Sequence, residues 1–75
     1  MVEPIPVLVV GAGSIGERHA RCFLATERAR VAVCESRADR LADLAAAYPL
    51  AATYTDWATV PLGDYRVVVV CTPAP

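Results

Sequence analysis

Three glycines at positions 11, 13 and 16 follow a run of apolar residues and carry the clearest chemical signal in the chain. They fit the dinucleotide-binding pattern G-x-G-x-x-G. Gly11 permits a tight turn, Gly13 lets the main chain approach a pyrophosphate, and Gly16 lets the following helix lie close to the strand. Ser14 and Ile15 are expected to offer backbone N–H groups to that anion, and Ser14 also its hydroxyl. The alternative is a structural turn that binds nothing.

An acidic residue lies about 20 positions beyond the glycines, where the pattern places a carboxylate for the adenosine ribose hydroxyls. This residue is Glu35, at the end of the second predicted strand. A carboxylate there repels a 2′-phosphate, so NAD is the expected cofactor. Arg37 keeps NADP or dual use open, because its guanidinium could stack on adenine or meet a phosphate.

These residues need a strand–helix framework to position them. Apolar runs and helical periodicity predict strands at 5–10, 30–34, 51–54 and 65–71, and helices at 15–25, within 36–48 and as one turn at 56–60. Ser36 or Asp39 is expected to cap the second helix, and Asp56 the short turn. The order predicts an α/β fold, a Rossmann-type doubly wound parallel sheet that is incomplete, with about four strands.

In the doubly wound order the first and fourth strands are neighbours, and ligands bind at their carboxyl ends. Thr72 and Pro73 close the fourth predicted strand, so they are expected to lie in the same crevice as the glycines. They act there either as contacts to the cofactor or only as the end of a strand.

Composition limits the function classes. The chain has 75 residues, 56% of them hydrophobic and 20% charged, which is typical of a globular protein. Its net charge is −1 and its basic residues, all arginine, are scattered, which argues against a nucleic-acid surface. No apolar run approaches the roughly 20 residues of a membrane span, and the first residues do not resemble a signal peptide. We therefore expect a cytoplasmic protein.

Several residues that could do chemistry are given structural roles instead. His19, the only histidine, is expected to pack within the first helix, and Trp57 to pack at the surface without a ligand. Cys22, Cys34 and Cys71 show no C-x-x-C spacing and are expected to be reduced thiols in the core. No metal site is expected.

Three features of the chain together resemble a known family. They are the glycine turn followed by His19-Ala20, the acidic end of the second strand, and the run from Val67 to Pro73. They are similar to the N-terminal domain of the Gfo/Idh/MocA oxidoreductases, the relatives of glucose–fructose oxidoreductase and inositol dehydrogenase. The resemblance covers essentially the whole chain. It implies an NAD(P)-dependent oxidoreductase that acts on a sugar, cyclitol or similar polyol, with Thr72 and Pro73 against the nicotinamide dinucleotide.

In that family a histidine follows the Thr-Pro turn, a later Glu-Lys-Pro motif supplies a lysine near the nicotinamide, and a second domain binds the substrate. This chain ends at Pro75 and has no lysine, so we assign no catalytic residue. We expect residues 1–75 to be the N-terminal part of a NAD(P)-binding Rossmann domain in a longer, homo-oligomeric protein. On its own the chain is expected to be unstable or to self-associate through its fourth strand.

Two alternatives come from other functional classes. A non-catalytic, dinucleotide-sensing regulatory domain would use the same glycines and the same acidic residue. A flavin-dependent oxidoreductase is less favoured, because the stretch after Glu35 lacks the glycine pair usual in that group.

Overall fold

The computed structural model describes residues 3–72. Four strands alternate with two helices and two short 3-10 helices. In chain order these elements are β1 (Ile5–Val10), α1 (Ser14–Ala25), β2 (Ala29–Cys34), α2 (Ala38–Ala47), β3 (Ala52–Tyr54), the 3-10 helices Trp57–Thr59 and Leu62–Asp64, and β4 (Val67–Val70).

The sheet has the order β3-β2-β1-β4, and all its strands are parallel. The chain moves outward from β1 to β3 and then returns to form β4 on the other side of β1. The predicted α/β fold with a four-stranded Rossmann-like sheet is therefore confirmed. The fourth strand is shorter than predicted, although hydrogen bonds from Arg66 N–H to the Pro6 carbonyl and from Cys71 N–H to the Val10 carbonyl extend its pairing.

Strand β1 is buried on both faces, as its continuous apolar run predicts. Val7, Leu8 and Val9 are almost completely inaccessible to solvent. Both helices cover one face, where the core consists of Val7, Val9, Ala12, Ala20, Val31, Val33, Leu41 and Leu44. The opposite face holds Leu8, Ala32 and Cys34, and side chains from residues 52–65 cover it. Packing on both faces fixes the ends of β1 and β2, where the predicted site lies.

The cap predicted for the second helix is wrong. Helix α2 has Arg37 at its N-cap position and no side-chain cap, while Asp39 lies inside the first turn. The Ser36 hydroxyl faces the Glu35 carboxylate at 3.5 Å. The cap predicted for the short turn is correct, because an oxygen of Asp56 accepts the Ala58 N–H at 3.0 Å. The Glu35 carboxylate accepts the N–H of the N-cap residue Arg37, and no side chain caps the first turn of α2.

Two packing predictions on α1 are also wrong. His19 and Cys22 are exposed, whereas Gly16 and Ala20 are the buried residues of the helix. Of the other thiols, Cys34 is buried and Cys71 partly buried, as expected, and all three cysteines are free. Within residues 3–72, neither helix has the length and apolarity needed to cross a membrane.

Gly16 allows a stability test of the close contact between α1 and the turn after β1. A Cβ at this position would overlap the Gly11 carbonyl oxygen. Alanine in a helix normally gains about 1 kcal/mol over glycine, but this overlap with backbone outweighs that gain. Gly16→Ala is expected to lower the free energy of unfolding by about 2 kcal/mol, measured by urea denaturation.

The matched control is Gly63→Ala, because a Cβ on Gly63 meets no atom within 4 Å. Its effect should stay within about 0.5 kcal/mol. Equal stabilities for the two variants would contradict the packing role of Gly16.

Strand β4 is an edge of the sheet and carries exposed valines, which favours self-association. Val68, which pairs with Leu8 on β1, is 40% exposed. We expect Val68→Lys to reduce self-association of the 75-residue chain, measured by light scattering over a concentration series. Thr53→Lys places the same charge on the opposite edge strand and should leave association unchanged. If self-association fell equally in both variants, the added charge of the chain, and not the β4 edge, would account for the decrease.

Candidate functional site

The turn after β1 requires glycine at two positions for different reasons. Gly11 has φ +99°, and a Cβ on it would lie 3.0 Å from the carbonyl carbon and oxygen of Cys71. Its N–H donates to the Cys34 carbonyl at 2.8 Å. Gly16 lies directly under the Gly11 carbonyl, where no side chain fits. The turn is therefore held between β2, β4 and α1, and these are the structural roles that the glycine pattern predicts.

The start of α1 presents a group of backbone donors. Gly13 is the N-cap residue, and the Glu17 N–H makes the first intrahelical bond, to the Gly13 carbonyl at 2.9 Å. The N–H groups of Ser14 and Ile15 precede that bond and so have no partner within the helix. The space that a Gly13 side chain would occupy is open. An anion could therefore approach the main chain at the positive end of the helix.

The peptide groups of Ala12, between the first two glycines, are held by two side chains. The Ala12 N–H donates to Oε1 of Glu35 at 2.8 Å, and Nη2 of Arg40 donates to the Ala12 carbonyl at 2.9 Å. These contacts tie the turn to the end of β2 and to α2. Sequence reasoning did not single out Arg40, and no local pattern marks it, because its partner is 28 positions away.

The Glu35 carboxylate is only 6% exposed and is surrounded by donors. Oε2 accepts the Arg37 N–H at 2.9 Å and Arg37 Nε at 3.2 Å, while Oε1 accepts Arg37 Nη2 at 3.1 Å. The side-chain hydrogen bonds from Arg37, helped by the backbone donors of Arg37 and Ala12, outweigh the effect of burial and lower the pKa of Glu35 to about 2. Glu35 is thus a fixed anion at neutral pH, facing a guanidinium that is 58% exposed.

A cleft of about 880 Å³ runs along the carboxyl ends of all four strands. It brings together most of the predicted site residues, namely Gly11, Gly13, Ser14, Ile15, Glu35, Arg37 and Thr72. Gly16 lies beneath this cleft and does not line it, which suits a packing role. Pro73, also predicted to contact the cofactor, lies outside the described residues.

The cleft also has lining residues that sequence reasoning missed. Thr55 and Trp57, which follow β3, extend it past Glu35. The sequence predicts surface packing for Trp57 and gives no sign of a ligand there, whereas the structure places this residue in the lining of the cleft. Its position three residues after a parallel strand was the available signal, because the carboxyl ends of parallel strands share one edge of the sheet.

The remaining titratable groups of the cleft are two thiols. Burial raises the pKa of both Cys34 and Cys71, which keeps them protonated and poorly nucleophilic at neutral pH. Within residues 3–72, no three side chains of His, Cys, Asp or Glu cluster so that they could hold a metal ion. The free N–H groups at the start of α1 suit an anionic group of a ligand, and the Glu35 carboxylate suits its hydroxyl groups.

The strands are parallel and have the order β3-β2-β1-β4, a glycine turn leads into a helix N-terminus, and an acidic residue follows β2. These features define a Rossmann-type nucleotide-binding domain. Residues 5–75 match the Gfo/Idh/MocA family model, described as an oxidoreductase family with an NAD-binding Rossmann fold, and the chain belongs to this family. No curated protein and no solved structure matches the chain.

The lowered pKa of Glu35 predicts a pH-dependent contribution to stability. Its carboxyl has a pKa of about 2 in the folded chain, against an ordinary value of 4.5. The contribution is therefore complete above about pH 4.5 and is lost as the pH falls towards 2. Solvent screening at the exposed Arg37 limits it to about 1–2 kcal/mol.

Urea unfolding at pH 6 and pH 3 measures this contribution. Glu35→Gln should be less stable than the wild type at pH 6, with a smaller difference at pH 3. Arg37→Gln removes the main cause of the pKa shift of Glu35. Its free energy of unfolding should therefore change less between pH 6 and pH 3 than that of the wild type. A constant difference between Glu35→Gln and the wild type at both pH values would contradict this assignment.

Proposed function

We propose that this chain binds NAD in the cleft and forms the cofactor-binding portion of an oxidoreductase acting on a sugar, cyclitol or similar polyol by hydride transfer. Family membership supports the oxidoreductase class and the nicotinamide dinucleotide partner. The observation that carries the proposal is that the glycine turn and Glu35 meet in one cleft, beside the point where the strand order reverses.

The pyrophosphate is placed on the N-terminus of α1. The N–H groups of Ser14 and Ile15 are the proposed donors, together with the Ser14 hydroxyl, and the open space at Gly13 admits the phosphate oxygens. Because Ala12 N–H is already bonded to Glu35, it is not available as a donor. Gly11 and Gly16 act by fixing the turn.

The adenosine ribose is placed at Glu35. A carboxylate has about four lone-pair sites. Here backbone N–H groups fill two and the Arg37 side chain fills two, while the Ser36 hydroxyl donates a longer bond of 3.5 Å to Oε2. We infer that the Arg37 guanidinium swings away on binding, so that the 2′- and 3′-hydroxyls take over one site on each carboxylate oxygen. The released guanidinium then lies near the 2′ position, which also permits NADP.

We propose that the nicotinamide half lies at the opposite end of the cleft, near Thr72, which follows β4, and that Pro73 is a further contact to the cofactor. When bound, the nicotinamide supplies the hydride acceptor or donor, and the protein orients it. We further propose that residues 1–75 form the N-terminal part of the cofactor domain of a longer cytoplasmic protein, a homo-oligomer whose second domain binds the polyol and provides the catalytic groups.

Titration with NADH and with NADPH, followed by fluorescence, tests the proposal. We expect saturable binding with NADH preferred. Glu35→Ala should weaken NADH binding about tenfold, because hydrogen bonds to a charged acceptor are lost. It should also narrow the difference in affinity between NADH and NADPH.

The control is Asp64→Ala, which removes an exposed carboxylate outside the cleft lining. It should leave both affinities unchanged. A folded wild-type chain that binds neither cofactor, as judged by circular dichroism and titration, would refute the proposed site.

A further inference from the structure

The β3 end of the cleft carries an aromatic side chain that neither core uses. Trp57 lines the cleft, is 47% exposed and belongs to neither buried cluster. It is also the only tryptophan in the chain. Among the described residues that line the cleft, Trp57 is the only aromatic one, and its half-exposed ring presents a flat surface on which a planar group could stack.

The backbone that presents Trp57 is well fixed. The Asp56 side chain accepts Ala58 N–H at 3.0 Å, and the Asp56 carbonyl accepts the Thr59 hydroxyl at 2.7 Å. On either side of this segment, the Tyr54 and Tyr65 hydroxyls form a hydrogen bond of 2.7 Å. The backbone of this 3-10 helix is therefore closed by its own cap, and Val60, which follows it, packs against the Leu8, Ala32 and Cys34 cluster of the sheet.

The strand order assigns a direction to a bound dinucleotide. Along the sheet edge the cleft passes from Trp57 after β3, to Glu35 after β2, to the glycine turn after β1, and then to Thr72 after β4. With the pyrophosphate at the glycine turn and the ribose hydroxyls at Glu35, the base on that ribose extends towards β3. The base at that end of the dinucleotide is adenine.

We propose that the Trp57 indole stacks on the adenine ring and is a specificity-determining residue for the adenosine half of the ligand. This inference rests on the proposed function, since it assumes that a dinucleotide occupies the cleft. Stacking makes the base, and not only the phosphates, contribute to affinity. Trp57 then favours ligands with a planar purine over ligands that carry the same phosphates alone.

Calorimetric titration of the 75-residue chain with ADP and with inorganic pyrophosphate separates the base from the phosphates. Trp57→Ala is expected to weaken ADP binding about 5- to 100-fold and to leave pyrophosphate binding unchanged. Trp57→Phe keeps an aromatic face and should retain most of the ADP affinity. In the wild type, ADP should also quench the fluorescence of the single tryptophan.

The matched control is Leu62→Ala, which truncates an apolar side chain of similar exposure (46%) on the neighbouring 3-10 helix, outside the cleft lining. It should bind ADP like the wild type. Unchanged ADP affinity in Trp57→Ala, or an equal loss for pyrophosphate, would overturn the stacking role while leaving the proposed function intact. A wild-type chain that binds neither NADH nor ADP would overturn both.

Discussion

At Gly11 the main chain turns through a left-handed conformation in contact with the backbone that follows β4, and the rest of the structure is arranged around that contact. The Cys71 carbonyl leaves no room for a Cβ, and Gly16 brings α1 against the Gly11 carbonyl. The side chain of Glu35, directly after β2, and that of Arg40 on α2 hold the peptide groups of the next residue, Ala12. Because each contact comes from a different element, the turn has its geometry only when the sheet and both helices are in place. The site and the fold are therefore stabilised by the same contacts.

Much of this arrangement could be predicted from local sequence, and the reason is physical. A continuous apolar run predicts a strand buried on both faces, and β1 has that burial. The order of elements restricts a parallel sheet to few topologies, and the family pattern of the glycines identifies the turn. Glu35 could be placed in the site because the end of β2 must lie beside the end of β1.

Side-chain partners could not be predicted in the same way, because they depend on distances between elements. The close contact at Gly16 makes small residues the buried stripe of α1, so His19 and Cys22 face solvent. At α2 the Glu35 carboxylate takes the Arg37 N–H, which local cap preferences alone could not reveal. Trp57 was missed because a 3-10 helix after a three-residue strand has no amphipathic pattern that marks one face as functional.

The pairing of Glu35 with Arg37 explains how one site could both select a cofactor and remain stable without it. The exposed guanidinium is screened by solvent, so its pairing with Glu35 contributes no more than about 1–2 kcal/mol, and a ribose hydroxyl bonded to a carboxylate contributes about 1.5–3 kcal/mol. In the proposed complex the ribose diol takes the place of the guanidinium on the carboxylate, while the backbone N–H groups of Ala12 and Arg37 stay bonded to it. A 2′-phosphate would meet the Glu35 anion and the released Arg37 cation at the same position. Under the proposed function, the affinities for NAD and NADP would therefore differ by the balance of two opposing charges, and we expect a smaller difference than an acidic residue alone would produce.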